Sequence, residues 1–352
     1  MKSISLCMIV KNEEDVIDRC LSSIFKAVDE IIIVDTGSTD KTKEICKNYT
    51  DKIFDFKWCD DFSKARNFSF SLATCEYIMW LDADDVVPKN TLNEIIKLKN
   101  DMCADVYMLK YDIAFCNNQP TFSFYRERIL KNNSNATWQG AVHECITPYG
   151  KVVSLPISIE HRKIKHTQSN RNYLIYKKVL KSRELSPREQ YYYGRELFDH
   201  KKYNECIKVL RKFINSKLGW TENNIDACYL LSQCFNYLSD RKNELKYLFK
   251  TFEYDTPRAN ICCKIGDYYL NENKYNLSIS WYLLSIKCED VTNKGGFVEN
   301  IYYNYYPYLQ LCVCFYKLGD LKTAEFYNNK ARKYLITETT ENNKNFFNQF
   351  KK

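Results

Sequence analysis

The chain has 352 residues, enough for two domains that each bury a sizeable core. Apolar residues make up 45% and charged residues 27%, with only 9 Gly and 7 Pro, which excludes a collagenous, disordered or turn-rich all-β protein. The formal charge of +8 comes without an Arg-rich stripe or nucleic-acid motif, so nucleic acid is not the expected partner; a basic cleft for an anionic donor would use the same charge.

The opening apolar run, residues 4–10, is too short for a signal peptide, and no later run is long enough to span a bilayer, so a cytoplasmic protein is expected. That run reads as a buried strand, followed at once by the charged stretch Lys11, Asn12, Glu13, Glu14. Val16, Ile17, Cys20, Leu21 and Ile24 have helical spacing. Residues 30–35 are a second, β-branched strand ending on Asp35. A turn with good capping residues at 36–40 leads to a helix expected over about 41–49, then a third strand at 53–56. A helix from Phe62 leads to an apolar strand at 77–81, which runs straight into Asp82, Asp84 and Asp85. Strand–helix alternation of this length predicts a parallel sheet with helices on both faces.

In such sheets ligands bind beyond the carboxyl ends of the strands. Lys11, Asn12, Asp35, Asp40, Asp82, Asp84 and Asp85 all lie just past strand ends and so converge on one edge. Three carboxylates within four positions repel one another unless a cation or a positive partner sits among them. Hard divalent cations take oxygen ligands and share them with phosphates. The plainer reading is an exposed acidic turn capping the helix that starts near Pro88, with Asp85 as its cap. Neither a G-x-G-x-x-G after the first strand nor a Walker-type glycine loop is present, which argues against a dinucleotide dehydrogenase or a P-loop NTPase.

Four segments, VKNEE at 10–14, VDTGSTD at 34–40, DFSKARN at 61–67 and LDADD at 81–85, resemble the successive motifs of family 2 glycosyltransferases, in that family's order. The resemblance implies a GT-A fold, an α/β Rossmann-like and mostly parallel sheet domain expected at residues 1–168. It also implies a nucleotide-diphosphate sugar donor such as a UDP-sugar, a divalent metal (Mg²⁺ or Mn²⁺) and inversion at the anomeric carbon. By the same carry-over Asp35 binds the uracil or ribose, with Asn12 and Glu13 lining the base pocket. Asp40 and Arg66 border the nucleotide cleft, Asp82 faces the ribose and metal shell, and Asp84 is the principal metal ligand.

Past the acids a helix is expected around 91–98 and strands at 106–115 and 121–125. WQGAVHE at 138–144 resembles an element of the branch of the family that carries tetratricopeptide repeats. Inverting transfer is a single displacement that needs a base near the acceptor, and Glu144 is the candidate. His161, ending the strand that reads ISIEH, matches that branch's following histidine and would complete the metal shell. His143 is either a support for the base or a structural residue, and Trp138 either stacks on a sugar or packs under the loop. His166 and His200 lie in polar sequence and read as solvated. The sixteen Cys are scattered singly along amphipathic segments, without zinc-site spacing, and read as buried reduced thiols.

From about residue 169 to 352 the chain reads all-helical. Gly194 is followed about twelve positions on by Cys206, and Gly266 by Ser278, as in a tetratricopeptide helix pair of about 34 residues. Residues 231–251 are a degenerate pair, and Phe315, Ala324 and Ala331 belong to another; 292–306 reads as an insertion containing Gly295 and Gly296. The plain alternative is an irregular helical bundle. Stacked repeats give a concave surface suited to holding a polypeptide. The arrangement is similar to that of peptide S-glycosyltransferases of bacteriocin pathways and of bacterial protein glycosyltransferases. The expectation is transfer from a UDP-sugar to a Cys or Ser/Thr side chain held by the repeats, with a homodimer through the helical domain among the arrangements allowed. Rival expectations are a transferase that builds a cell-envelope saccharide, its repeats docking a partner, and a repeat scaffold without activity.

Overall fold

A computed structural model describes residues 1–116, 119–164, 170–289, 291 and 299–349. His166 and the insertion at Gly295 and Gly296 lie outside these residues. The chain divides into two compact units, Met1–Leu185 and Ser186–Lys352. The first runs past the 168/169 boundary expected from sequence and takes in one more helix, Arg171–Ser182.

The first unit contains β1 (Ile4–Val10), α1 (Ile17–Ile24), β2 (Glu30–Asp35), α2 (Thr42–Cys46), β3 (Ile53–Asp55) and α3 (Phe62–Ser71). It continues with β4 (Tyr77–Trp80), β5 (Asp85–Val86), α4 (Lys89–Leu98), β6 (Val106–Cys116), β7 (Gln119–Lys131), β8 (Val152–His161) and α5 (Arg171–Ser182). One sheet runs in the order β3-β2-β1-β4-β7-β6-β8-β5. The pairs β1–β2, β1–β4, β2–β3 and β6–β8 are parallel. The expected parallel sheet is therefore interrupted: β7 runs antiparallel to both β4 and β6. No helix separates β6 from β7, and parallel neighbours need a crossover of a dozen or more residues, so this pair can only be antiparallel. β7 also extends well beyond the expected 121–125, through Arg126, Glu127 and Arg128.

Alternating side chains of the strands feed two cores. Ile4, Leu6, Met8, Ile31, Ile33, Tyr77 and Met79 pack on one face with Ile17, Cys20, Leu21 and Ile24 of α1 and Ile95 of α4. Cys7, Ile32, Val34, Ile78 and Trp80 pack on the other with Phe70 of α3 and with Trp138 and Ile146. The register sets Val10 beside Asp35 and Cys7 beside Trp80, so β1, β2 and β4 deliver the residues that follow them to one edge.

The second unit is a series of helix pairs. They are α6 (Pro187–Asp199) with α7 (Tyr203–Ser216), α8 (Thr221–Tyr237) with α9 (Arg241–Lys250) and α10 (Ala259–Asn271) with α11 (Tyr275–Lys287). After these come α12 (Tyr305–Lys317), α13 (Leu321–Arg332) and α14 (Glu338–Gln349). The expected tetratricopeptide-like pairing has a physical basis here. A Cβ on Gly194 would collide with Leu210 of the paired helix, and one on Gly266 would sit 2.6 Å from the Tyr282 ring. The small residue twelve positions later explains itself in the same way: Ser278 Oγ donates to the Gly266 carbonyl at 2.8 Å, and Cys206 Sγ to the Gly194 carbonyl at 3.2 Å. No helix among the described residues is long and apolar enough to cross a membrane. The cysteines described are free thiols, most of them buried.

Candidate active site

The edge formed by β1, β2 and β4 opens into a cleft of ≈ 390 Å³ within the first unit. Its walls include Lys11 and Glu13 after β1, Thr36 after β2, Asp82 and Asp84 after β4, Arg66 of α3, and His143 with Glu144. Trp58, Phe62 and Arg171 complete one side.

Arg66 is the hub. α3 starts at Phe62 because the Asp61 carboxylate caps it, accepting from the Lys64 N–H at 3.1 Å. One turn in, the Arg66 guanidinium lies against both the Trp80 and Trp138 rings, 5.1 and 4.8 Å from their centroids. Its Nη2 donates to Asp82 Oδ1 at 2.6 Å and its Nε to Glu144 Oε1 at 2.7 Å. Burial opposes the guanidinium charge, but Asp82 and Glu144 outweigh it and hold it protonated well above its ordinary range. Burial likewise pushes the Asp82 carboxyl up, and Arg66 and Arg128 overcome that and hold it down at about 2. Asp82 is thus a committed anion at neutral pH.

Asp84 and Asp85 have a different partner from Asp82. Asp84 Oδ1 lies 3.3 Å from His161 Nδ1, and Asp85 Oδ1 lies 3.4 Å from the same nitrogen. These three residues offer ligand atoms within 4.8 Å of one another, and Asp82 is not among them. The backbone explains the meeting: β5 pairs antiparallel with β8 so that Asp85 is opposite His161, and the Arg162 N–H donates to the Asp84 carbonyl at 2.9 Å. Burial, with the carboxylates of Asp82 and Asp85 nearby, raises the Asp84 carboxyl although His161 pulls it the other way. Burial lowers the His161 imidazole, but the Asp85 hydrogen bond and the Asp84 charge reverse the sign and raise it. This is the repulsive cluster that the sequence implied, relieved in part by His161 and by Arg128. Two carboxylates and one imidazole are a donor set that suits a divalent cation.

Glu144 sits on a tight loop closed by Gln139 and Cys145, whose backbones exchange hydrogen bonds at 2.9 and 3.1 Å. Within it Gly140 has φ 96° and His143 φ 51°. The loop brings His143 and Glu144 to the cleft, with Glu144 only 12% exposed. The His143 ring lies 6.5 Å from that of Tyr176 and nearly parallel to it. Trp138 is placed differently from the sugar-stacking alternative. It is 2% exposed, packs edge-on against Trp80 at 4.9 Å and does not line the cleft.

The expected donor-binding residues divide. Asp35 is buried, its Oδ2 accepting from the Gly37 and Ser38 N–H groups at 3.0 and 2.9 Å, while its Oδ1 is buried without a partner. Asn12, at φ 55°, accepts from the Thr39 N–H at 2.7 Å and so ties the two loops together. Asp40 spends its carboxylate on Thr42 and on the Glu14 N–H, and those hydrogen bonds lower its pKa against the push of burial. None of Asp35, Asn12 and Asp40 lines the cleft; Glu13 does, and Thr36, next to Asp35, does as well. Asp85 is not the helix cap that its position suggested: it is fully buried and pairs with Arg128, itself 0% exposed, at 3.0 Å. Arg128 and Tyr111 were missed because a charged residue or tyrosine on a long strand carries no signal of its burial; only the unexplained surplus of acids pointed to a hidden cation.

Residues 5–150 match Glycosyl transferase family 2. The chain is 29% identical over 279 residues to the SPbeta prophage-derived glycosyltransferase SunS of Bacillus subtilis, a match covering 73% of this chain and 64% of SunS. A TPR repeat-containing protein of Synechococcus elongatus is 46% identical over 146 residues, 42% of this chain and 36% of that one. The chain therefore spans less than two thirds of the length of these relatives. Among solved structures, S. aureus TarS 1-349 in complex with UDP aligns over 70% of this chain and 88% of its own at 15% identity, with a TM-score of 0.40.

Proposed function

We propose that this chain, which carries a glycosyl transferase family 2 domain over residues 5–150 ahead of an all-α tetratricopeptide-like unit, is an inverting, metal-dependent glycosyltransferase. It moves a sugar from a UDP-sugar to a polypeptide side chain, Cys or Ser/Thr, held by the helical unit in the cytoplasm. One observation carries the reading: a single cleft is lined by two separate carboxylate functions, Asp84, which pairs with His161, and Glu144, which shares Arg66 with Asp82. Single displacement needs that division, because the leaving diphosphate and the incoming nucleophile lie on opposite sides of the anomeric carbon.

Asp84 and His161 would hold the divalent cation, with Asp82 beside them. When bound, the cation neutralises charge developing on the leaving diphosphate. The unpartnered Asp35 Oδ1 is an acceptor awaiting a donor, such as the imide N–H of uracil or a ribose hydroxyl. Glu13 lies along the cleft, and Asn12 and Asp40 hold the loop that carries Thr36 in place. In the reaction the acceptor's sulfur or oxygen attacks the anomeric carbon as the bond to the diphosphate oxygen breaks. Glu144 takes the acceptor's proton; its Oε1 is bound to Arg66, so Oε2 is the oxygen left for this. Arg66 fixes the aim of that carboxylate and keeps Asp82 ionised.

The test is to incubate the protein with a panel of UDP-sugars, Mn²⁺ and candidate Cys- or Ser-containing peptides. UDP release is followed together with the peptide mass. A hexose-sized mass gain that requires the cation and the peptide is expected. UDP release that no peptide stimulates, with transfer to a saccharide acceptor, would contradict the polypeptide assignment.

A further inference from the structure

Behind the acid cluster lies a buried chain of polar groups that the transfer chemistry does not use. Arg128 of β7 and Asp85 are both 0% exposed and paired at 3.0 Å through Asp85 Oδ2. The guanidinium is also roofed by Trp80, 3.8 Å from that ring's centroid, and by Tyr111, at 4.3 Å. Asp85's other oxygen, Oδ1, lies 2.8 Å from the Tyr111 hydroxyl, which lies 2.8 Å from His161 Nδ1.

The order of protons along this chain follows from counting donors. A guanidinium with no exposure requires a carboxylate beside it, so Asp85 is ionised and can only accept. The single Tyr111 proton therefore goes to Asp85 Oδ1, and the phenolic oxygen is left as an acceptor. The facing His161 Nδ1 must then carry a hydrogen. The two carboxylates near that nitrogen, at 3.3 and 3.4 Å, are too distant for strong hydrogen bonds but would repel a bare lone pair there. In the neutral imidazole, the form that ligates metals, the remaining lone pair is on Nε2.

We propose that Tyr111, anchored by Asp85 and Arg128, is a positioning residue that holds His161 in its Nδ1–H tautomer and so presents Nε2 to a divalent cation. The inference rests on the metal reading above for its purpose but not for the tautomer itself. Arg128 and Asp85 set the direction of the chain, and Tyr111 transmits it to the ring. The same device explains why Asp85 is fully buried while its neighbour Asp84 remains partly open to the cleft.

The experiment has two arms. Histidine is present only four times in the chain, so ¹⁵N-histidine labelling gives a spectrum simple enough to assign with a His161→Ala variant. Long-range ¹H–¹⁵N spectra of the metal-free protein at about pH 9, where the ring is neutral, distinguish the tautomers. Nδ1–H is expected for His161 in the wild type, and appearance of Nε2–H is expected in Tyr111→Phe, which keeps the ring over Arg128. A wild-type Nε2–H tautomer overturns the proposal. In the second arm Mn²⁺ is titrated into wild type, Tyr111→Phe and His161→Ala in the presence of UDP. Tyr111→Phe should weaken Mn²⁺ by ~10- to 100-fold, the usual consequence of losing the partner of a ligating histidine. Unchanged affinity in Tyr111→Phe, where His161→Ala abolishes binding, overturns the positioning role. Unchanged affinity in both variants overturns the metal assignment of His161, while the wild-type tautomer stands or falls by the first arm alone.

Discussion

Replacing Arg66 with methionine probes the centre of the cleft. The substitution keeps an unbranched apolar side chain beside Trp80 and Trp138 and removes the cation that Asp82 and Glu144 share. Holding the Asp82 carboxyl at about 2, against ~3.9 in an unfolded chain, corresponds to ~2.5 kcal/mol at neutral pH. The side chain is 33% exposed, and water reaching it reduces the figure to ~1–2 kcal/mol. Glu144, 12% exposed, loses its partner as well and adds ~1–2 kcal/mol for a charged group left without its hydrogen bond. Together the loss is ~2–4 kcal/mol, or ~5–15 °C in the melting of the sheet unit. The pH dependence has a fixed sign. A depressed carboxyl contributes stability that is fully present above the unfolded pKa and disappears as pH falls through the folded one, here between ~4 and about 2. In the variant Asp82 no longer has that support, so the deficit should be full at pH 7 and shrink only as pH falls from ~4 toward about 2. Urea unfolding at several pH values, followed by tryptophan fluorescence, measures this. A deficit below ~0.5 kcal/mol at pH 7, or one that does not change with pH, would refute the argument that Arg66 neutralises both acids.

Asp84→Ala should abolish Mn²⁺-dependent UDP binding in calorimetry while leaving the melting temperature within a few degrees, because Asp84 is part of no apolar core; unchanged affinity would sink its role as a ligand. Glu144→Gln should keep donor binding but lower turnover by a factor on the order of 10² to 10⁴, more for a Ser acceptor than for a Cys that is already partly thiolate. Wild-type turnover on a hydroxyl acceptor would rule Glu144 out as the base. Gly266→Leu forces a side chain into the space of the Tyr282 ring, 2.6 Å from where a Cβ would lie. It should destabilise the helical unit by ~1–3 kcal/mol, and an unaltered helical melting curve would contradict the close approach of α10 and α11.

Much of the architecture was legible because its signals are local. Apolar runs such as Ile4–Val10 and Glu30–Asp35 are short and β-branched, and Asp61 announces α3 by capping it. The Gly194–Cys206 and Gly266–Ser278 spacing is likewise a packing rule written along one chain segment. Residues whose meaning depends on distant partners were not legible. Arg128 pairs with an acid 43 positions away, and Tyr111 bonds to His161 50 positions on, so neither differs in sequence from an ordinary strand residue. β7 looked short for the same reason: Arg126, Glu127 and Arg128 interrupt its apolar pattern, yet Glu127 and Arg128 are buried. The sequence sets Asp82 at the edge of the metal shell and Asp84 within it, and the structure adds that their carboxylates have different partners, Arg66 and His161. Acids two positions apart can take different partners while lining one cleft, and no pattern of acids alone reveals which.

The account's central claim is that the cleft binds a nucleotide diphosphate through a divalent cation held by Asp84 and His161. Crystals of the protein grown with UDP and Mn²⁺, measured for anomalous scattering from manganese, test it most directly. The account predicts one strong peak within ligand distance of Asp84 and His161, next to the diphosphate, with the uracil ring against Asp35. A manganese peak elsewhere, or UDP bound in the cleft with no manganese beside Asp84, would contradict it.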